Sequence, residues 1–319
     1  MTRMRSVLVA SLVLLASATQ AQAPAAAPAS AATPAPAAAQ APADSDASGQ
    51  DVPPVQDMSP PTTPAQPVPI CANALPPLRT PVAFMPGELL EFDLDAMGAN
   101  AGKMTMKVQR PDKGALPVQI EAQTNTFFSK VRRVKGVGVS YLHPRTLRPS
   151  RYTEDSTENE VRRTADVAFG AKDRTVKVDY VVGQKPGHYD YTYDKDALDV
   201  AGAIYLMRQL PMKEGLSVCF DVYGIRRLWR LQGTVVKREH VSLPVGEFDA
   251  WYLTGTAVRL DRPKQKREVH VWISDDARRL PLVAVGTLDL GAVRATLTAY
   301  SRPGEKEKRA TKGKEELKW

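Results

Sequence analysis

Glu88-Leu-Leu-Glu-Phe-Asp-Leu-Asp95, then Gly98 and Asn100-Ala-Gly102, then Lys103-Met-Thr-Met-Lys-Val108, is the stretch on which the fold turns. Residues 88–95 alternate apolar and polar over part of their length. In the second run Met104, Met106 and Val108 fall on one face. Side chains two apart share a face of a strand, so two alternating runs about a glycine-bearing turn predict a β-hairpin.

The same reading extends outward. Val118 to Thr126 alternates, with Val118, Ile120, Ala122 and Thr124 on one side. Further strands are predicted at Gly136–Leu142, Arg151–Glu154, Arg162–Phe169 and Thr175–Val182, with a turn at Gly170–Asp173. They resume at Ser217–Tyr223, Leu228–Arg238, Phe248–Val258, Glu268–Ile273, Pro281–Leu288 and Ala292–Tyr300. Turns fall at Lys213–Gly215, Pro244–Gly246 and Ser274–Asp276. One segment breaks the pattern. Asp196 to Leu210 has no period of two, and its Leu198, Ala201, Ile204, Tyr205 and Met207 recur at helical spacing, with Asp196 as N-cap and Pro211 as stop. Short turns favour antiparallel pairing over βαβ units. The expected fold is all-β and mainly antiparallel, a long meander forming an open half-barrel or curved sheet with one inserted α-helix.

Upstream the composition changes. Residues 1–21 read as a secretory signal: Arg3 and Arg5 form the basic region, Ser6–Ala18 the apolar region, and Thr19-Gln-Ala21 the cleavage site. Thirteen apolar residues fall short of the roughly 20 that span a bilayer as a helix, although an uncleaved signal would still anchor the chain. No cysteine lies near the cleavage site for lipid attachment. Residues 22–69 are an Ala/Pro-rich stalk unable to build a core, since Ala and Pro bury little surface and Pro lacks the amide hydrogen. The folded domain is expected over 70–302 and a charged, disordered tail over 303–319. No nucleic-acid partner is expected of an exported, periplasmic chain, and no transmembrane segment apart from the signal.

The chain carries a formal charge of +8. Without Arg3 and Arg5 this is +6, and without Asp44, Asp46, Asp51 and Asp57 of the stalk the domain and tail carry +10. The cations cluster at Lys130-Val-Arg132-Arg133-Val-Lys135, at Arg226-Arg227-Leu-Trp-Arg230, at Arg262–Arg267 and in the tail after Arg302. Lys130, Arg132, Arg133, Lys135, Arg226 and Arg227 form the candidate basic patch. Outside the cytoplasm the matching polyanions are lipid head groups and wall polymers; the alternative is solvated strand faces and loops. The two cysteines, Cys71 and Cys219, are expected to pair in an oxidising compartment, two free thiols being the competing reading.

Catalytic motifs are missing: no G-x-S-x-G, Walker loop, H-E-x-x-H or G-x-G-x-x-G before a helix. His143, His188, His240 and His270 are scattered without metal-ligand spacing. No cofactor, metal or catalytic residue is expected. Asp275-Asp276 beside Arg278-Arg279 read more simply as a charge-held turn than as a carboxylate pair. Trp229, Trp251, Trp272 and Tyr189-Asp-Tyr-Thr-Tyr193 fit core positions or a groove.

Three segments resemble the exported bacterial proteins grouped as domain of unknown function 3108 (DUF3108). They are Thr124–Ser129 followed by Tyr141-Leu-His-Pro-Arg-Thr-Leu147, then Val245-Gly-Glu-Phe-Asp-Ala250, then Val271-Trp-Ile-Ser-Asp-Asp-Ala-Arg-Arg-Leu-Pro281. The resemblance covers about Glu88 to Tyr300. Val131 to Lys135 is more basic than the family pattern. The resemblance implies an all-β envelope protein with no established activity. The strand–helix–strand order is similar to the half-barrels of lipoprotein carriers, an analogy of fold only. Two functions are expected from this. One is a non-enzymatic binding module for a lipid, lipoprotein or other hydrophobic or anionic envelope ligand, with Ile204, Tyr205 and Met207 facing it. The other is a scaffold docking on another protein or wall polymer through the basic surface. A hydrolase using Glu247, Asp249 or Asp275 is the least favoured.

Overall fold

The computed structural model describes residues 68, 70–224, 226–288 and 291–310. The export signal, nearly all of the stalk and residues 311–319 lie outside them. The first run of strands is β1 (Leu89–Ala96), β2 (Ala99–Val108), β3 (Leu116–Thr124), β4 (Val134–Leu142), β5 (Pro149–Glu158), β6 (Val161–Gly170), β7 (Thr175–Val182) and β8 (Lys185–Thr192). A three-residue β9 (Ala197–Asp199) leads into the helix α1 (Val200–Met207). The second run is β10 (Ser217–Gly224), β11 (Arg227–Leu243), β12 (Gly246–Arg259), β13 (Lys266–Ser274), β14 (Pro281–Leu288), β15 (Gly291–Ser301) and a two-residue β16 (Lys308–Arg309).

All belong to one sheet, in the order β8-β7-β6-β5-β4-β3-β2-β1-β15-β14-β13-β12-β11-β10-β9, with β16 on β15. Each run is a meander, and antiparallel pairing of β1 with β15 joins them. Only β9 pairs in parallel, with β10. The sheet is open, because the path ends at β8 and β9. It also has to curl. Fifteen strands laid flat at about 4.8 Å spacing would put those ends about 67 Å apart. The chain crosses from Thr192 to Ala197 in five steps, at most about 18 Å. The ends meet through side chains instead of a ladder: Tyr152, Val167, Val176, Val178, Tyr189 and Tyr191 pack against Ala197, Tyr223 and Leu228.

The alternation read in β1 is the alternation of its burial, with Leu90, Phe92 and Leu94 in the core. The predicted bounds of β7 and β14 coincide with the observed ones. The helix is shorter than expected. Residues 197–199 pair with β10, so Asp199 replaces Asp196 as the N-cap, its Oδ1 accepting from the Gly202 amide at 2.8 Å. Asp196 instead accepts from the Leu75 amide and from Arg148. Of the tail expected over 303–319, residues 303–310 are described. Lys308–Arg309 pair with Tyr300 and Ala299, and Arg309 donates to the Glu91 carboxylate at 2.8 and 3.0 Å. These backbone and charged partners hold Lys308 and Arg309 against β15 and β1.

Helix α1 is interior on nearly every side, with Ala201, Tyr205 and Leu206 fully buried. A side chain at Gly202 would press on Leu142 of β4 and Pro149 of β5, so this position admits a close approach of helix to sheet. Arg208 follows the helix. It is fully buried, meets the Glu88 carboxylate at 2.6 and 3.0 Å, and donates to the carbonyls of Arg278 and Arg279. Arg302 reaches the same carboxylate at 3.1 Å. A disulfide joins Cys71 to Cys219 of β10, with their Cα atoms 5.4 Å apart.

Candidate functional site

A meander sends alternate turns to opposite ends of its strands. The turns β1–β2, β3–β4, β5–β6, β7–β8, β10–β11, β12–β13 and β14–β15 therefore share one end, as the registers of β1 with β2 and with β15 require. Three of the four basic clusters, well separated in the chain, lie in these turns: 130–135 at β3–β4, 226–230 at β10–β11 and 262–267 at β12–β13; the fourth follows β15 at the other end of the strands. One end of the sheet is thus cationic.

An arginine cluster at this end is built on β5 and β6. Glu154, Ser156 and Glu158 share a face of β5, and Arg163 of β6 stands opposite Ser156. Arg132 from the β3–β4 loop pairs with Glu158. Arg163 lies 3.5 Å from Glu158, and Arg226 lies 3.6 Å from Glu158 and 3.7 Å from Glu154. Ser156 donates to Glu154 at 2.8 Å. Three guanidinium groups face two carboxylates, a surplus of one positive charge, and the side chains of Arg132, Arg163 and Arg226 are only 12%, 10% and 11% exposed. Arg163 Nε and Nη1 and Arg226 Nη1 are buried with no hydrogen-bond partner among the described residues. Burial, then the neighbouring Arg226, pushes the Arg163 pKa down. Below the cluster lies a layer of tyrosines. Tyr152 and Tyr223 have ring centres 6.0 Å apart, and the Tyr189 hydroxyl donates to the Arg226 carbonyl, linking β8 to the β10–β11 turn.

The β3–β4 loop is docked on the β5–β6 turn. Asn159 and Glu160 both have positive φ, as a two-residue type I′ hairpin demands. The Arg133 amide donates to Asn159 Oδ1, and the Asn159 amide to the Arg133 carbonyl, each at 2.9 Å. Of the candidate patch, Lys130, Arg133 and Lys135 are exposed, whereas Arg132 and Arg226 belong to the inner cluster. Arg227 is buried over the Tyr189 ring at 5.4 Å and lies 3.5 Å from Asp261. Arg163, Glu154 and Glu158 were not singled out by the sequence reading. The available signal was alternation: Arg163 shares its face with Ala165 and Val167, an arginine on an apolar face.

The helix residues expected to face a ligand lie elsewhere. Tyr205 and Met207 are buried in the main core and Ile204 packs against it. Tyr205 stacks edge-on to Phe84 at 4.6 Å, with the Arg208 guanidinium over its ring. Trp229 and Trp272 are core residues and Trp251 is half-buried. Glu247, Asp249 and His240 form an exposed polar cluster on β11 and β12. Asp275 accepts from Trp251 at 2.7 Å. Asp276 closes the β13–β14 turn by accepting from the Arg278 and Arg279 amides and the Ser274 hydroxyl. His143 Nδ1 accepts from the Arg145 and Thr146 amides, closing the β4–β5 turn.

Each segment carrying the family resemblance therefore includes a turn of this sheet. Two solved structures are similar at low identity. A β-barrel-like protein of domain of unknown function 1849 from Brucella abortus is 9% identical with a TM-score of 0.48, covering 68% of this chain and 98% of that one. A protein with a YmcC-like fold from Bacteroides fragilis is 10% identical with a TM-score of 0.30, covering 73% and 100%. No activity is taken from either. No curated protein matches the sequence. Residues 91–298 match the family described as protein of unknown function (DUF3108), and the chain belongs to that family.

Proposed function

We propose that the protein is a non-enzymatic binding module of the cell envelope that holds an anionic group, a phosphate or carboxylate, at the Arg132–Arg163–Arg226 cluster. The observation that carries this reading is the surplus charge of that cluster together with the unpartnered N–H groups of Arg163. A buried donor without an acceptor costs about 1–3 kcal/mol, and an uncompensated buried charge costs more. An anion with two or more oxygens offsets both, because guanidinium groups bind such anions by paired hydrogen bonds. Glu154 and Glu158 hold the arginines in place. The exposed Lys130, Arg133 and Lys135 and the β12–β13 turn raise the local concentration of anions. The export signal read at residues 1–21 sets the expected compartment. The helix supports this surface reading over a ligand held inside the sheet, because Tyr205 and Met207 already fill core positions.

Calorimetric titration with inorganic phosphate tests the reading. Binding is expected to weaken as salt rises and to fall at least tenfold in Arg163→Met. This substitution leaves two arginines against two glutamates, so the fold is expected to keep its stability. Absence of phosphate binding in the natural protein, or equal binding by Arg163→Met, would falsify the assignment.

A further inference from the structure

Three large apolar side chains stand in water at the same cationic end. Phe127 is 69% exposed, Val131 71% and Met97 67%. Phe127 and Val131 flank the 3-10 turn at Phe128–Lys130 in the β3–β4 loop, and Met97 is in the β1–β2 turn. Exposed cations, Lys130, Arg133 and Lys135, surround the first two, with Glu160 paired to Arg133 at 2.6 Å.

These side chains are held out by a built scaffold. Phe128 is buried against Ala96, Ala101 and Val293, so it anchors the loop while its neighbour Phe127 points away. Asn125 Oδ1 accepts from the Phe128 amide at 2.8 Å. Its Nδ2 donates to the Asn100 carbonyl at 2.6 Å, which ties the loop to the hairpin that bears Met97. The Arg132 amide donates to the Phe128 carbonyl at 2.8 Å. Met97 has φ 54°, in a turn position where Asn, Asp or Gly is the usual residue. Turn chemistry therefore does not account for a methionine there.

We infer that this end docks on an anionic lipid bilayer, with Phe127, Val131 and Met97 entering the interface and Lys130, Arg133 and Lys135 meeting the head groups. Apolar tips projecting from separate turns and ringed by cations fit a soft, negatively charged surface. A protein partner would be expected to meet a continuous apolar patch with satisfied polar groups at its rim. The inference rests on the anion-binding reading for this end and names its partner. Val131 adjoins Arg132 of the inner arginine cluster, so the same loop brings a lipid phosphate to both.

The test is cosedimentation of the mature chain with vesicles of phosphatidylethanolamine and phosphatidylglycerol, and with phosphatidylcholine alone. Binding is expected only to the anionic vesicles, weakened by salt, and at least tenfold weaker in Phe127→Ser/Val131→Ser. Both positions are exposed, so the variant keeps the fold, and its phosphate titration should be unchanged. In Phe127→Trp, the added emission should shift blue on binding and be quenched by brominated lipid. Absence of binding to anionic vesicles, equal binding by the double variant, or an unshifted emission from Phe127→Trp overturns the docking inference. If phosphate still binds in that case, the anion reading stands alone; if vesicles bind and phosphate does not, the anion reading is the one that fails.

Discussion

At the scale of single residues, the most consequential polar group of the interior is Asp199. Its carboxyl is fully buried, caps α1 through Gly202 and accepts from Ser140 Oγ at 2.5 Å. Burial outweighs those hydrogen bonds and raises its pKa from the usual 3.8 to about 6. Protonated Asp199 is the form that burial favours. Its contribution to stability is complete below about pH 4 and is lost as pH rises through about 6. The shift corresponds to about 3 kcal/mol. Asp199→Asn keeps the Oδ1 acceptor for Gly202, and its Nδ2 donates to Ser140 Oγ once that hydroxyl turns to accept. Urea unfolding should find it near natural stability at pH 4 and more stable by up to about 3 kcal/mol at pH 7. A natural protein with the same difference from the variant at both pH values would refute this. Sequence inspection sees Asp199 only as one acid in a helical stretch, because pairing of residues 197–199 with β10 is a long-range event.

At the scale of elements, the strands were legible and their exceptions have local causes. β8 escaped the reading because Lys185-Pro-Gly-His188 breaks the alternation with a proline and a glycine. Proline lacks the amide hydrogen and is tolerated on an edge strand, which β8 is. Helix α1 is eight residues long, too short to persist alone, so tertiary contacts must hold it. Its strongest tether is Arg208 on Glu88. Removing Glu88 strands the buried Arg208 charge, at a cost of about 3–5 kcal/mol, whereas removing Arg208 leaves Glu88 with Arg302 at 3.1 Å. Glu88→Gln should therefore destabilise strongly and Arg208→Met less, and the double variant should cost clearly less than their sum. Chemical denaturation of the four proteins gives the coupling, and simple additivity would show that the pair does not act as a unit.

At the scale of the whole molecule, Cys71–Cys219 ties the segment before β1 to β10, near one edge of the sheet, closing a separation of 148 residues. A cross-link over that length stabilises chiefly by restricting the unfolded chain, by about 2–5 kcal/mol. Cys71→Ala/Cys219→Ala should lose that amount under oxidising conditions, and an unchanged midpoint would mean that the link restrains nothing. The amino-acid sequence by itself determined the alternation that makes strands, the turns that make a meander, the interruption that becomes α1, and the clustering of cations, because each depends on neighbours within a few positions. Only the tertiary structure decided that Tyr205 and Met207 are core, that Arg163 joins Arg132 and Arg226 around two glutamates, and that Phe127 and Met97 share an end. Those outcomes depend on how a fifteen-strand path curls and which turns fall together, and curl is set by packing between residues far apart in the chain.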